Sequence, residues 1–369
     1  MTVHVGVTGQ EGFIGYHLLQ YLRLEKDRYE IIPFSRPYFE DKVQLEAFVR
    51  SCDVIVHLAA MNRGDEHEIY QTNVRLIQKL IEACVAASVT PQIIFSSSTQ
   101  EERDNPYGRS KKAGADLLHA WADKNNAVFT HLVIPNVFGP FGRPYYNSVI
   151  ATFCHQLTHG EEPKIVVDAA LNLIYVQDLA AAIIAEFGAK TSALVHPEPV
   201  TEISVSELLK KLRMHQSWYF MQGMIPCLET PFDVALFNTF RSFCVEILPI
   251  YPELHTDPRG AFVEVVREMT GGQTSFSTTV PSITRGNHYH LRKIERFCVV
   301  KGEAVIRLRR VGTKDILEYR VSGDKPAYID MPIYYTHNIT NVGQDDLLTL
   351  FWINEFFDSE NPDTYFEEV

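Results

Sequence analysis

The chain predicts an α/β doubly wound parallel sheet followed by an all-β barrel, and three observations carry that expectation. Short apolar runs at Val3–Val7, Glu30–Phe34, Val54–Leu58, Ile93–Phe95 and Phe129–Val133 alternate with helical periodicity at Ile14–Leu24, Val74–Ala87 and Lys111–Asp123. Parallel strands joined by crossover helices require that alternation. A glycine-rich turn stands between the first strand and the first helix. From about Glu246 the pattern changes to short strands with closely spaced turn signals at Gly271-Gly272, Val311-Gly312 and Ser322-Gly323-Asp324, the mark of an all-β barrel or sandwich. The expected division is 1–243 and 246–369.

At 369 residues the chain can bury two separate cores. With 46% hydrophobic and 22% charged residues it is globular in composition, and no apolar run approaches the ~18 residues of a membrane span. The start Met1-Thr2-Val3 runs into a strand pattern with no basic leader, which predicts a cytoplasmic protein. A net charge of -12 argues against a nucleic-acid partner. The 6 cysteines form no CxxC pair and read as buried thiols.

Ligands of doubly wound sheets bind beyond the carboxyl ends of the strands, so the residues after each apolar run are the candidates. The first such turn, Thr8-Gly9-Gln10-Glu11-Gly12-Phe13-Ile14-Gly15, places Gly9 for a tight turn, Gly12 for backbone approach to a pyrophosphate and Gly15 for close helix–strand packing. After the second run come Ser35 and Arg36 where a cofactor lacking a 2′-phosphate would meet a carboxylate. An arginine there predicts NADPH. After Ile93–Phe95 follow Ser96-Ser97-Ser98-Thr99 and then Tyr107-Gly108-Arg109-Ser110-Lys111. Tyr107 and Lys111 share a helix face, where the ammonium can lower the phenol pKa and hold a ribose. Ser98 can donate to the same substrate oxygen.

With those motifs, residues 1 to about 240 resemble the extended short-chain dehydrogenase/reductase family, which acts mainly on nucleotide sugars. Asp53-Val54-Ile55-Val56-His57-Leu58-Ala59-Ala60, Asn73 and Pro135-Asn136-Val137-Phe138-Gly139-Pro140 extend the match. The resemblance implies cofactor contacts from Gly9, Gly12, Phe13, Ile14, Gly15, Ser35, Arg36, Leu58, Ala59, Tyr107 and Lys111. It implies sugar-nucleotide contacts from Asn136, Asn147 and Ser148.

The C-terminal half carries Gly286-Asn287-His288-Tyr289-His290, then Glu295 and Gly302, and later Pro332, His337 and Asn341. His288 and His290 share a strand face, and three imidazoles with one carboxylate suit a divalent metal such as zinc. The two clusters resemble the two cupin motifs. The stretches from His255 to Glu264 and from Arg285 to His288 also resemble nucleotide 4-keto-6-deoxysugar epimerases. That likeness implies that Arg259 and Arg285 contact the diphosphate and Glu264 the base, and that His288 removes a proton beside the ketone. Either His290, Glu295 and His337 bind metal alone, or His288 joins them.

Together the halves resemble the bifunctional capsular and O-antigen enzymes that make UDP-N-acetyl-L-fucosamine precursors. The resemblance implies C3 epimerisation of a UDP-2-acetamido-2,6-dideoxy-4-ketohexose by the cupin, then C4 reduction with NADPH to UDP-2-acetamido-2,6-dideoxy-L-talose. Epimerisation must come first, because only the ketone makes the neighbouring proton exchangeable. A reductase with a structural cupin and a non-catalytic NADP(H) sensor are the alternatives. A dehydratase is disfavoured, since Thr99-Gln100-Glu101-Glu102 holds no adjacent Asp-Glu pair. A homodimer is expected from sheet edges and helices suited to symmetric association.

Overall fold

The computed structural model describes residues 2–258 and 260–369. The N-terminal strands are β1 (Val3–Thr8), β2 (Tyr29–Ile32), β3 (Val54–His57), β4 (Gln92–Ser98) and β5 (Phe129–Ile134), followed by a short β6 (Asn136–Phe138). Between them run helices α1 (Phe13–Leu24), α2 (Lys42–Arg50), α3 (Glu66–Ala87) and α4 (Pro106–Asn125). Then come α5 (Val149–Thr158), β7 (Ala170–Tyr175), α6 (Val176–Ala185), β8 (Ala193–Val195), β9 (Thr201–Ser204), α7 (Val205–His215) and α8 (Pro231–Arg241). The expected doubly wound sheet is present: six parallel strands in the order β2-β1-β3-β4-β5-β8.

The apolar runs are continuous rather than alternating because both faces of this sheet are covered. Ile55, Ile93 and Phe95 pack with Phe48, Leu80 and Leu118 of α2, α3 and α4. Val54, Val56 and Ile94 pack on the other side with Leu18 and Leu22 of α1 and Leu179 and Ile183 of α6. Two helices start earlier than their periodicity predicts. The first turns of α3 are polar, but Asp65 caps them by accepting from the amides of His67 and Glu68. At α4, Asn105 accepts from Gly108 N and Pro106 stands in the first turn. The serines expected just past a strand end lie within β4, whose ladder to β5 runs on to Ser98↔Ile134.

The chain divides into two compact units. One comprises residues through Phe138 with 145–148 and 170–203; the other comprises 139–144, 149–169 and 204–369. The second unit therefore gathers α5, α7 and α8 with the C-terminal strands. These are β10 (Leu254–Asp257), β11 (Gly260–Val263), β12 (Gln273–Thr279), β13 (Thr284–Tyr289), β14 (Glu295–Lys301), β15 (Glu303–Arg310), β16 (Ile316–Ser322), β17 (Tyr328–Met331), β18 (Tyr335–Asn341), β19 (Leu347–Ile353) and β20 (Tyr365–Phe366).

The expected all-β half is present as two antiparallel sheets, β12-β19-β14-β17 and β16-β15-β18-β13-β20, with a separate β10-β11 hairpin. Their facing sides bury Val299, Ile306, Leu308, Ile329, Met331 and Ile339. Gly312 (φ 81) turns β15 into β16, as its sequence position predicts.

Arg296 in β14 ties the outer segments to this barrel. Its Nε and Nη2 donate to Asp330 at 2.6 and 2.8 Å, Nη1 donates to Val265 O at 3.0 Å and Nη2 to Gly223 O at 2.9 Å. The guanidinium lies 3.8 Å over the Tyr328 ring, and both ion-pair side chains are almost wholly buried. Helix α8 rests on the barrel through Asn238 Nδ2, which donates to Arg292 O at 2.9 Å.

Candidate active site and metal centre

Strand order reverses between β1 and β3, the position where a doubly wound sheet opens a ligand crevice. Gly9 has φ +75, and a Cβ there would meet Ala59 N at 2.8 Å; a Cβ on Gly15 would meet Gly9 O at 2.4 Å. Neither glycine position has room for a side chain. Thr8 Oγ1 bonds His57 Nδ1 at 2.9 Å and accepts from Ala59 N at 3.3 Å, which holds Leu58 and Ala59 beside the turn. Helices α2, α3 and α4 are capped by Asp41, Asp65 and Asn105, whereas α1 begins at Gly12 with no side-chain cap. The amides of its first turn, which contains Phe13 and Ile14, fit a pyrophosphate. Ser35 and Arg36 stand exposed at the end of β2, where Arg36 opens a short 3-10 turn.

Tyr107 and Lys111 lie in the first turns of α4, with Nζ 5.5 Å from the Tyr107 ring centre. Lys111 is buried, and its ammonium donates to Ser96 O at 2.5 Å. Burial brings its pKa down to about 7, with Glu101 opposing the fall. Burial, reinforced by Tyr146, pushes the Tyr107 phenol up to about 12. The expected lowering of that phenol by Lys111 is not found, because desolvation outweighs a cation that is turned to a carbonyl. Tyr107 is thus held as a protonated acid. Ser98 Oγ accepts from Gln100 N at 3.2 Å, which leaves its O–H to donate.

Glu101 carries no motif that points to a site role, since Thr99-Gln100-Glu101-Glu102 lacks an adjacent Asp-Glu pair. Its carboxylate accepts from Ser97 Oγ and lies 2.9 Å from His131 Nε2, and His131 comes from β5. Asn73 joins the loop after β3 to α4: it bonds both the amide and the carbonyl of Met61 and donates to Ser110 Oγ at 2.9 Å. Asn136 is exposed on β6. Asn147 accepts from Arg63 Nε at 3.1 Å, and the neighbouring Tyr146 donates to Asn62 Oδ1. Ser148 is half-buried just ahead of α5.

In the barrel, His288, His290, Glu295 and His337 converge, with one donor atom from each lying within 4.8 Å of all the others. Nε2 of His290 and Nε2 of His337 each stand 3.1 Å from Glu295 Oε2. Burial, with His337 and His290 adding, lowers His288 to about 4. Two hydrogen bonds from these imidazoles hold Glu295 below the usual carboxylate range despite its burial. Buried nitrogen and oxygen donors aimed at one point fit a divalent cation.

The residues implied by the epimerase resemblance are placed as follows. Arg285 pairs with Ile339 and His288 with His337, so the register shift between Gly286 and His288 puts both on the face of Ile339 and His337. Simple alternation would have set them on opposite faces. Gly286 (φ 101) and Asn287 (φ 63) supply the bulge. Arg285 is exposed and donates to Thr278 O at 3.5 Å. Glu264 is exposed and lies 3.7 Å from Arg267. Arg259 lies outside the described residues.

The parallel sheet, the glycine turn at its switch point and the half-buried tyrosine beside a buried lysine define a dinucleotide-binding protein of the short-chain dehydrogenase/reductase class. The chain belongs to the NAD dependent epimerase/dehydratase family, which residues 5–193 match, and residues 255–365 match the polysaccharide biosynthesis C-terminal domain. It is 37% identical to UDP-2-acetamido-2,6-beta-L-arabino-hexul-4-ose reductase of Pseudomonas aeruginosa over 97% of both chains. The crystal structure of the capsular polysaccharide assembling protein CapF from Staphylococcus aureus is similar over 99% of this chain and 100% of that one, at 34% identity and a TM-score of 0.63. RMD from Pseudomonas aeruginosa, solved with NADPH, shares the N-terminal fold at 21% identity and a TM-score of 0.53, covering 58% of this chain and 83% of that one. The resemblance drawn from the motifs thus holds along nearly the whole chain. Among the described residues no helix is long and apolar enough to cross a membrane.

Proposed function

We propose that this protein reduces C4 of a UDP-2-acetamido-2,6-dideoxy-4-ketohexose with NADPH after its cupin barrel has inverted C3. The product, UDP-2-acetamido-2,6-dideoxy-L-talose, would feed UDP-N-acetyl-L-fucosamine synthesis for capsule or O-antigen. The observation that carries this reading is likeness along 97% of the chain to a protein named as a hexul-4-ose reductase. The site supports it chemically. Tyr107, held protonated, delivers a proton to O4, and Ser98 donates to the same oxygen. Lys111 holds the ribose, and Asn136, Asn147 and Ser148 hold the sugar nucleotide. Bound on the first turn of α1, with Arg36 at its 2′-phosphate, the reduced dinucleotide supplies the hydride.

Arg285 and Arg259 would hold the diphosphate and Glu264 the nucleotide base. A base takes the C3 proton to leave an enolate and C3 is then protonated on its opposite face, an inversion that needs a base, a proton donor and a stabiliser at O4 but no hydride donor. His290, Glu295 and His337 would hold a zinc ion, with His288 either the fourth ligand or the base. Such an ion supplies Lewis acidity toward the ketone oxygen. The reading places the protein in the cytoplasm as a homodimer.

The test uses the full chain in deuterated water with the UDP-4-keto-sugar. Tyr107→Phe is expected to bind NADPH and exchange the C3 hydrogen while losing NADPH oxidation. His288→Asn is expected to lose exchange, and metal analysis of the same variant separates ligand from base. No deuterium at C3 in the wild type before reduction would leave a reductase with a structural barrel.

A further inference from the structure

On the reading of the barrel cluster as a metal centre, we infer that Asp363, near the C-terminus, is a positioning residue for that centre: its carbonyl orients His290, and its carboxylate fixes the turn that carries His290. A metal ligand must present a bare nitrogen, so something must choose the tautomer of each imidazole. For His290 the inward nitrogen is Nε2, 3.1 Å from Glu295 Oε2, and the outward Nδ1 is 2.6 Å from Asp363 O. A carbonyl can only accept, so Nδ1 keeps its proton, and Nε2, on giving up to an entering metal the proton it shares with Glu295, turns its lone pair to the cluster. His337 takes the corresponding help from its own strand, with Nδ1 3.1 Å from Tyr335 O. His290 takes it from a segment 73 residues away in the chain.

That segment has to be held in place, and the carboxylate of Asp363 does so. Asp363 is 2% exposed and adopts φ 44, a left-handed conformation that needs compensation. Its Oδ1 accepts from Leu291 N at 3.1 Å, and its Oδ2 accepts from Arg292 N and Lys293 N at 2.9 and 2.8 Å. These are three consecutive amides of the turn between β13 and β14, a nest that favours an anion. Side chains of the same turn grip the flanks. Arg292 donates to Asn361 Oδ1 at 3.1 Å and Asn361 O at 3.0 Å, and Lys293 donates to Pro362 O. Beyond Asp363, β20 pairs with β13 at Tyr289↔Tyr365. The C-terminal segment is therefore an outer wall of the cluster, and one residue links the turn's amides to the histidine ring.

The test compares zinc binding by full-length wild type, Asp363→Ala, the milder Asp363→Asn, and Arg309→Ala. The last variant loosens the chain end at Glu367, which Arg309 Nη2 holds at 2.8 Å, without touching the His290 turn. Zinc affinity is read by competition with a chromogenic chelator, and the His290 Nδ1–H hydrogen bond in zinc-loaded protein by nitrogen-15 NMR. Asp363→Ala keeps the carbonyl but frees the segment that carries it, so it is expected to bind zinc about 10–100-fold more weakly, the cost of losing an outer hydrogen bond to a ligand, and to lose the ordered Nδ1–H hydrogen bond of the zinc-loaded protein. Asp363→Asn should fall between it and wild type, and Arg309→Ala should match wild type. Zinc bound by wild type and Asp363→Ala with equal affinity would overturn the assignment of Asp363 while sparing the metal centre. Equal weakening in Asp363→Ala and Arg309→Ala would overturn it too, as general loosening of the chain end. No zinc on the wild type would overturn the metal reading itself, and this inference with it.

Discussion

Lys111 reaches β4 with an ammonium that burial disfavours and Glu101 favours, so its proton is set by the fold around it and by one carboxylate. Its folded pKa of about 7 lies below the 10.5 of an ordinary lysine. Between those values the unfolded chain binds more protons, so this residue's contribution to stability rises with pH across that window. The cation that binds ribose is lost over the same range, so kcat/KM for ketone reduction should fall as pH rises through about 7. Removing the carboxylate in Glu101→Gln should move that fall to lower pH. An unchanged pH profile would take Glu101 out of the site. Arg36 is legible in the sequence as the second residue past the apolar run Glu30–Phe34. Arg36→Ala should reduce the preference for NADPH over NADH by roughly tenfold, the worth of one charge-assisted pair. Steady-state kinetics with both cofactors checks it, and equal efficiency with both in the wild type would refute the reading. Tyr107, Lys111 and Ser98 could be read in one segment, whereas His131, which completes the Glu101 contact, comes from the next strand.

At the scale of elements, the strands and helices around the parallel sheet followed from periodicity, and their starts were decided by caps. Asp65 and Asn105 extend α3 and α4 over polar turns that hydrophobic spacing cannot register. The bulge in β13 is of the same kind, because it sets Arg285 and His288 on one face through a partner strand. Arg296, near the start of β14, links several elements: it is paired with Asp330 and bonded to the carbonyls of Val265 and Gly223. Removing one partner of a buried pair strands the other, so Arg296→Ala should lower unfolding stability by about 3–5 kcal/mol. Urea denaturation measures this, and a loss below about 1 kcal/mol, the worth of an exposed pair, would show that the clamp is dispensable.

For the whole molecule, edge strands carry exposed aromatic residues. Phe276 on β12 is 70% exposed and Phe366 on β20 is 77% exposed, and each of these strands ends its sheet. Unpaired edges with apolar side chains favour association, so light scattering at micromolar concentration should give twice the chain mass. A monomer would overturn the proposed homodimer. The order of a parallel α/β sheet and an antiparallel β half, the glycine turn, the Tyr107–Lys111 pair and the four metal-site candidates are legible along the chain. Those are local patterns, set by side-chain period, by turns that exclude a Cβ, and by spacing along one helix or strand. That α5, α7 and α8 belong to the same compact unit as the barrel, that burial raises the Tyr107 phenol, and that Glu101 meets His131 follow from the folded packing. It alone brought Asp363 against His290. Each of these depends on which distant segments exclude water from one another, and neither periodicity nor spacing along the chain encodes that.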